Sequence, residues 1–520
     1  MVKMMKSELD QYLSVAGLYQ LGGLETEGQH DFTVSLSHLA QDDLGEAIRE
    51  LHQVDLLAMR RFESKAARLP ALAVAIEKTL TAGKRIFLCG CGATGRLSMS
   101  LEVFCHENML PPEYQGRVIG FMAGGDLALI KSIENFEDHP EFGVRQLDEL
   151  GFADGDLLIS STEGGETPFV IGATERAAEV SSNPPWFLYC NPDEKLVRFV
   201  ERSRRVIENT RIEKINLAVG AMAISGSTRM QASTVLMAAI GFAFLHRHEP
   251  HEAQRSVAHF RELVESLDFS FLQPFIEREA AAYEAGEFVI YESERYGVTV
   301  VTDTTERAPT FSLPPFENQD DQEQPVSWCY FHISGQPDAQ SAWRALIHRE
   351  PRTLEWPEVR AIAGRQVLNG YDFSDQLIAK RSKRTGGARH HLFRVSDRGG
   401  SLVFDLDGLQ HGLHLDGVSF FSRHLILKLA LNIHSTLVMG RLGRYLDNLM
   451  THVKPSNNKL IDRAIRYVTM LLQRRTGKTP EYKEVARVLF EERAKLKPGE
   501  PIVLKTMDAM LARRAAAARA

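Results

Sequence analysis

The sequence of 520 residues has only five cysteines and four tryptophans. Cys89, Cys91, Cys105, Cys190 and Cys329 are odd in number and scattered, which argues against a disulfide scaffold. Cys89 and Cys91 form C-x-C, but no second pair completes a zinc set. Reduced, buried thiols are expected, with no metal and no cofactor. Long apolar runs are missing as well. None approaches the roughly 20 residues of a membrane span, and the opening MVKMMKSELDQYLSVAGLYQ has no apolar core like that of a signal peptide. There is no excess of positive charge: 61 Lys and Arg against 68 Asp and Glu leave a net charge of −7, where a nucleic-acid binder is more often basic. The basic run KRSKRTGGARHH (380–391) is short and glycine-broken and reads as a solvated loop. His246, His248 and His251 of HRHEPHE read as an exposed helix end, not as metal ligands. The expectation is a cytoplasmic protein that engages neither membrane nor nucleic acid.

What is present is an ordinary apolar fraction, 44%, over a length that suits two or three domains. Residues 1–80 carry apolar residues at helical spacing, ending at Gly83. Strand-like runs then alternate with helical ones: RIFLCG (85–90), RVIGFMAGG (117–125), DLLISST (156–162), PPWFLYC (184–190) and INLAVG (215–220). Such alternation predicts a parallel, doubly wound α/β sheet. A long helical stretch follows, from about Ser227 to Gly286. The pattern then restarts, AGKRIFLC (82–89) being answered by AGEFVIYE (285–292). Further strands are expected at VTVVTD (298–303), VSWCYFHIS (326–334) and SLVFDLDG (401–408), followed by a long helix over 421–450. The expected division is 1–280 for N-terminal helices and a first α/β domain, 281–455 for a second, and 456–520 for a helical cap with a frayed Ala/Arg-rich tail.

Three loops carry the chemistry. GCGATGR places Gly90, Gly92 and Gly95 between a strand and a helix, with Ala93, Thr94 and Arg96 among them. Glycines let backbone N–H groups approach an anion, and the helix N-terminus favours negative charge. The dinucleotide reading of G-x-G-x-x-G wants an acidic residue about twenty residues on. Asp126 lies some thirty beyond the last glycine, a poor fit. SSTEGGETPF (160–169) offers Thr162, Gly164 and Thr167 at a second helix start, and SGSTRM (225–230) offers Ser227 and Thr228 at a third. None has the lysine of a nucleotide P-loop, so the expected guest is a monophosphate on a small molecule.

GCGATGRL resembles the phosphate loop of sugar isomerase (SIS) domains, most closely in the branch of N-acetylmuramic acid 6-phosphate etherase and the glucokinase regulatory protein. AGGDLALIKSIENFEDH (123–139), GSTRMQAST (226–234), DNLMTHVKPSNNKLIDRA (447–464) and TEG (26–28) resemble further segments of that branch. The resemblance covers nearly the whole chain. It implies two SIS domains packed as a pseudo-dimer, as in the regulatory protein, and a sugar phosphate ligand, a hexose or N-acetylhexosamine phosphate.

The departures bear on activity. The etherase helix motif D-x-x-E-C-P-P-T-[YF] carries a catalytic Glu, but in the first half its position falls on Phe104 and its Asp on Leu101; Glu102 points elsewhere on the helix. The second half has YESERYG (291–297) in place of the phosphate glycines, with Glu292 and Glu294 to repel an anion. Yet DTTERAPTF (303–311) puts Glu306 on the catalytic position, with Asp303, Pro309 and Thr310 in register. The resemblance therefore implies one composite site: Gly92, Ala93, Thr94, Gly95, Arg96, Thr162, Gly164, Thr167, Ser227 and Thr228 from the first half, and Glu306, Asn457 and Lys459 from later in the chain. Glu137 and Glu306 would be catalytic if the protein is an enzyme. Gln231 replaces the family's lysine after SSRM. Two readings stay open. One is a non-catalytic phosphosugar sensor resembling the glucokinase regulatory protein, with a sugar kinase as its implied partner. The other is an etherase-type carbon–oxygen lyase or a phosphosugar isomerase.

Overall fold

The computed structural model describes residues 2–19, 21–133 and 136–517. Among the described residues, ten strands form two five-stranded sheets. The first contains β1 (Ile86–Gly90), β2 (Val118–Met122), β3 (Leu157–Thr162), β4 (Trp186–Tyr189) and β5 (Glu213–Asn216). Their order is β2-β1-β3-β4-β5 and every neighbouring pair is parallel. β1 to β4 are buried along their whole length, as a parallel sheet covered on both faces requires.

The second sheet contains β6 (Phe288–Glu292), β7 (Cys329–His332), β8 (His390–Arg398), β9 (Ser401–Leu406) and β10 (Leu409–His414). Read from its β7 edge the order is β7-β6-β8-β9-β10, the same winding as the first, with β6 in the place of β1. β6 pairs parallel with β7 and β8. β9 and β10 run antiparallel, so this sheet is parallel only in part, against the expectation of a fully parallel one. The reason lies in two tight turns. Gly399–Gly400 and Asp407–Gly408 all have positive φ, 54°, 82°, 49° and 83°, the backbone of two-residue type I′ hairpins. Hairpins therefore replace the last two crossovers.

Other expectations shift locally. VTVVTD is not a strand but the start of the helix Gly297–Phe311. Its β-branched residues cost only tenths of a kcal/mol each in a helix, less than burial against the other half returns. KRSKRTGGARHH is not a loop throughout: the helix Leu377–Arg384 takes its beginning, with Arg381 buried against Glu317, and His390 opens β8.

The interface between the halves pairs like with like. The helix after the first strand of one sheet, Ala93–Phe104, packs on its counterpart Gly297–Phe311, and Gln231–Leu245 packs on Phe420–Arg441. This is the pattern of an isologous interface. It is tight: a Cβ on Gly241 would lie 2.0 Å from the Phe421 ring. The helices Asn458–Thr476, Tyr482–Arg493 and Ile502–Ala517 form the cap, joined by the N-terminal helix Val2–Val15, whose Tyr12 hydroxyl lies 2.5 Å from that of Tyr482. The tail expected to fray is helical to Ala517; residues 518–520 lie outside the described residues. No helix among the described residues is long and apolar enough to cross a membrane.

Candidate functional site

Each glycine of the first loop has its own reason. Gly92 sits at φ 56° and turns the chain from β1 into the helix. A Cβ on Gly90 would meet the Thr94 carbonyl oxygen at 2.2 Å, and one on Gly95 the Met122 side chain at 2.6 Å. These two glycines thus allow the helix to press against β1 and β2. Thr94 does not present its hydroxyl to a ligand: it accepts from the Cys91 N–H and donates to the Cys91 carbonyl, both at 3.0 Å, and so braces the turn. Thr162 likewise spends its hydroxyl on that of Thr167, 3.0 Å away.

A cavity of about 350 Å³ lies between the halves. Of the residues expected there, Gly92, Ala93, Arg96, Glu137, Gly164, Thr167, Ser227, Thr228, Glu306, Asn457 and Lys459 line it. Thr94, Gly95 and Thr162 stand behind the wall. Asn457 also caps its helix, accepting from the Leu460 N–H at 2.9 Å. The walls further include Glu27, Glu163, Glu166, Arg229, Lys131 and Arg463, with an apolar side from Leu21, Leu24, Ile130, Ile133 and Leu313.

Ion pairs from distant parts of the chain hold this wall. Arg96 Nη1 lies 2.5 Å from Glu306 Oε1, with side chains 1% and 9% exposed; its Nε donates to the Leu129 carbonyl and the Thr305 hydroxyl. Lys459 Nζ lies 3.2 Å from Glu137 and 2.7 Å from Glu166. Arg202 takes the other oxygen of Glu166 at 2.5 Å. Burial opposes the charge of Glu166, but Lys459 and Arg202 outweigh it and hold the carboxyl at about 2. Glu27, of the TEG segment, is buried against Arg463 at 2.6 Å and Arg466 at 2.7 Å, and these keep it well below the usual carboxylate range despite burial.

Glu163 is different. Burial drives its pKa up, its own amide pulls back, Glu306 adds to the rise, and the balance is about 7. Its Oε1 has no hydrogen-bond partner among the described residues. Glu163 and Glu166 stand in SSTEGGETPF beside the hydroxyls and glycines expected to serve the site, and nothing in the local sequence marks them out. Arg229 is likewise unmarked in SGSTRM, and pairs with Asp303 at 3.0 Å. Where Gln231 replaces a lysine, its amide bonds Asp55 and the Ala223 N–H. Lys428, from the other half, instead puts an ammonium on the Arg229 and Met230 carbonyls at 2.8 and 3.3 Å. Burial lowers that lysine to about 8.

The reverse juxtaposition, Phe104 against the second half's loop, is filled. Phe104 packs on His424 at 4.3 Å between ring centroids and on Phe421 at 5.8 Å, and Tyr296 closes on His424 from the other side at 4.8 Å. Burial holds His424 neutral, its pKa near 3. Glu292 turns to His332 and Arg394. Glu102 is spent on Arg349 and Arg352, and Asp126, the weak dinucleotide candidate, on Arg349.

The family model described as the glucokinase regulatory protein N-terminal SIS domain matches residues 71–178. N-acetylmuramic acid 6-phosphate etherases of Yersinia pestis (strain Pestoides F) and Yersinia pseudotuberculosis (serotype O:1b, strain IP 31758) are 32% identical over 213 residues, spanning 39% of this chain and 68% of theirs. The chain belongs to the SIS-domain family of these etherases and the glucokinase regulatory protein. A solved structure, a putative phosphosugar isomerase from Silicibacter pomeroyi DSS-3, aligns over 76% of this chain and 97% of its own at 12% identity, with a TM-score of 0.42. Within the SIS family the matched region holds the glycine loop and SSTEGGETPF, while Glu306 and Lys459 lie beyond residue 178.

Proposed function

We propose that the chain binds a sugar phosphate in the cavity between its halves and acts as a regulator that reads the ligand, not as a catalyst. The reading takes 1–280 and 281–455 as two SIS units and 456–520 as their cap. Family membership supports the ligand class. The regulator reading is carried by one observation: Glu306, on the position of the family's catalytic carboxylate, has its Oε1 engaged by Arg96 across the halves. A base for a C–H proton must be available at that proton, and here the substrate would compete with a buried, charge-assisted bond. A ligand at Gly92 and Ser227 would touch residues from both halves and from the start of the cap. It can then bias their arrangement by its differential affinity. By the resemblance, the protein such a regulator controls is a sugar kinase.

A second reading has its own support. Glu137, Glu163 and Glu306 all line the one cavity. An etherase-type elimination needs a base for the C2 proton and an acid for the group leaving C3, and carboxyls are the residues for both. Incubation of the purified protein with N-acetylmuramic acid 6-phosphate and assay of released lactate separates the two. A regulator binds sugar phosphates and releases no lactate. Turnover that Glu306→Gln abolishes would establish the lyase instead.

A further inference from the structure

We infer that the cavity takes a sugar phosphate carrying a free amine, its ammonium pairing with the Glu163 carboxylate. The inference rests on the reading that the ligand is a sugar phosphate. Among the described residues, four buried polar atoms of cavity-lining residues have no hydrogen-bond partner: Arg96 Nη2, Ser227 Oγ, Arg229 Nε and Glu163 Oε1. Their residues are 1%, 5%, 4% and 7% exposed. Buried polar groups without partners are costly and few in native folds, so at a cavity wall the missing partner is sought in the ligand. The four differ in kind. Arg96, Ser227 and Arg229 can donate to an anion, as a phosphate requires. Ionised Glu163 can only accept, and a cation is its best partner.

The surroundings leave that demand unmet. The groups that act on Glu163 are Glu306 from the helix Gly297–Phe311, Lys459 from the first helix of the cap, and Lys428 from Phe420–Arg441. The thiols of Cys91 and Cys190 also face it. Lys459 is already held by Glu137 and Glu166. Lys428 is held by the Arg229 and Met230 carbonyls and the Thr234 hydroxyl. Glu306 repels. A sugar hydroxyl would satisfy Oε1 but leave the charge; an ammonium answers both. The amine must be free, because an acetamide nitrogen donates without charge.

The test is calorimetric titration of the full chain with glucosamine 6-phosphate, glucose 6-phosphate and N-acetylglucosamine 6-phosphate at pH 7.5. The amine is expected to bind at least 10-fold more tightly than the other two, and Glu163→Gln to bring all three within about 3-fold of one another. A second measurement needs no variant. At pH 6.5, in buffers of different ionisation heat, the amine should release about three-quarters of a proton more than glucose 6-phosphate. A carboxyl titrating near 7 is mostly protonated there and must ionise to pair; the phosphate's own titration is common to both ligands. Equal affinity for glucose 6-phosphate or the acetylated sugar, or equal proton counts, would overturn the inference and leave the sugar-phosphate reading standing. If none of the three ligands binds, that reading falls and the inference falls with it.

Discussion

Replacing Arg96 with methionine tests whether one buried ion pair ties the halves together at the cavity. The substitution keeps much of the side-chain volume but removes a guanidinium, 1% exposed, from a carboxylate 2.5 Å away. Breaking a buried pair from one side costs about 3–5 kcal/mol, because the remaining charge stays desolvated. Glu306 opens onto the cavity, where water can replace part of the loss, which moves the expectation to the lower end. The bonds from Nε to the Leu129 carbonyl and the Thr305 hydroxyl add about 1 kcal/mol each. The sum is about 5 kcal/mol for Arg96→Met. At about 2.1 cal/mol/K per residue, 520 residues have an unfolding entropy of roughly 1.1 kcal/mol/K, so Tm should fall by about 4–5 °C. Glu306→Leu on the Arg96→Met background removes the stranded charge and should recover half of the loss or more, since apolar replacements of buried pairs are often neutral. Urea titration by tryptophan fluorescence and scanning calorimetry read both quantities. A cost below about 1 kcal/mol for Arg96→Met, or a double variant no more stable than the single, would refute the reasoning.

Two further changes probe the frame around the site. Asp55 is buried, and burial raises its carboxyl from 3.8 to about 7. It therefore contributes stability below its unfolded pKa that is lost as pH rises through 7, and Asp55→Asn should stabilise by about 2–4 kcal/mol at pH 8 and be near neutral at pH 4; urea midpoints that differ by the same amount at both pH values would contradict this. Phe104→Ala should cost about 3–5 kcal/mol, the usual penalty for a buried phenylalanine, yet leave sugar-phosphate affinity within about 3-fold, because the ring lies outside the cavity; titration calorimetry showing a large loss of binding would place the aromatic cluster in the site.

How far the sequence could be read depended on whether the signal was local. β1 to β4 were legible because a fully buried strand is a short apolar run bounded by turn residues, and RIFLCG and DLLISST are little else. The hairpins β8–β9 and β9–β10 were not legible, because their turns, DRGGS and LDGL, bracket the single strand expected at SLVFDLDG, and the neighbours they join carry weaker apolar patterns. VTVVTD misled because its β-branched residues face a helix interface, where packing outvotes propensity. At the site, the glycine loop was recognisable, but the work of each residue was not. Thr94 is spent on its own turn, and only the fold shows that its hydroxyl is occupied. Glu163 and Glu166 sit three residues apart in one loop, yet one is held at about 2 and the other pushed to about 7. Nothing in GGE or TEG distinguishes them: the difference comes from Lys459 and Arg202, which reach Glu166 from 293 and 36 residues away.

The asymmetry of the two halves has a consequence for how occupancy could be sensed. Each sheet winds in the same order, and equivalent helices meet across the interface. A symmetric pair would offer two equivalent cavities, and ligand bound in both would favour both halves alike. Here one juxtaposition is closed by Phe104, Tyr296 and His424, and the other keeps the cavity. A ligand in that cavity would thus act once per chain and on one side of the interface. Its leverage can be compared with what holds that side. A ligand at a hundred times its Kd stabilises the form it binds by about 2.7 kcal/mol. That is close to the lower figure for the Arg96–Glu306 pair. A ligand phosphate that drew Arg96 away from Glu306 would therefore trade one interaction for another of similar size, so the arrangement of the halves would depend on ligand concentration. An arrangement held by a much stronger contact would not respond, and one held by a much weaker contact would not need the ligand.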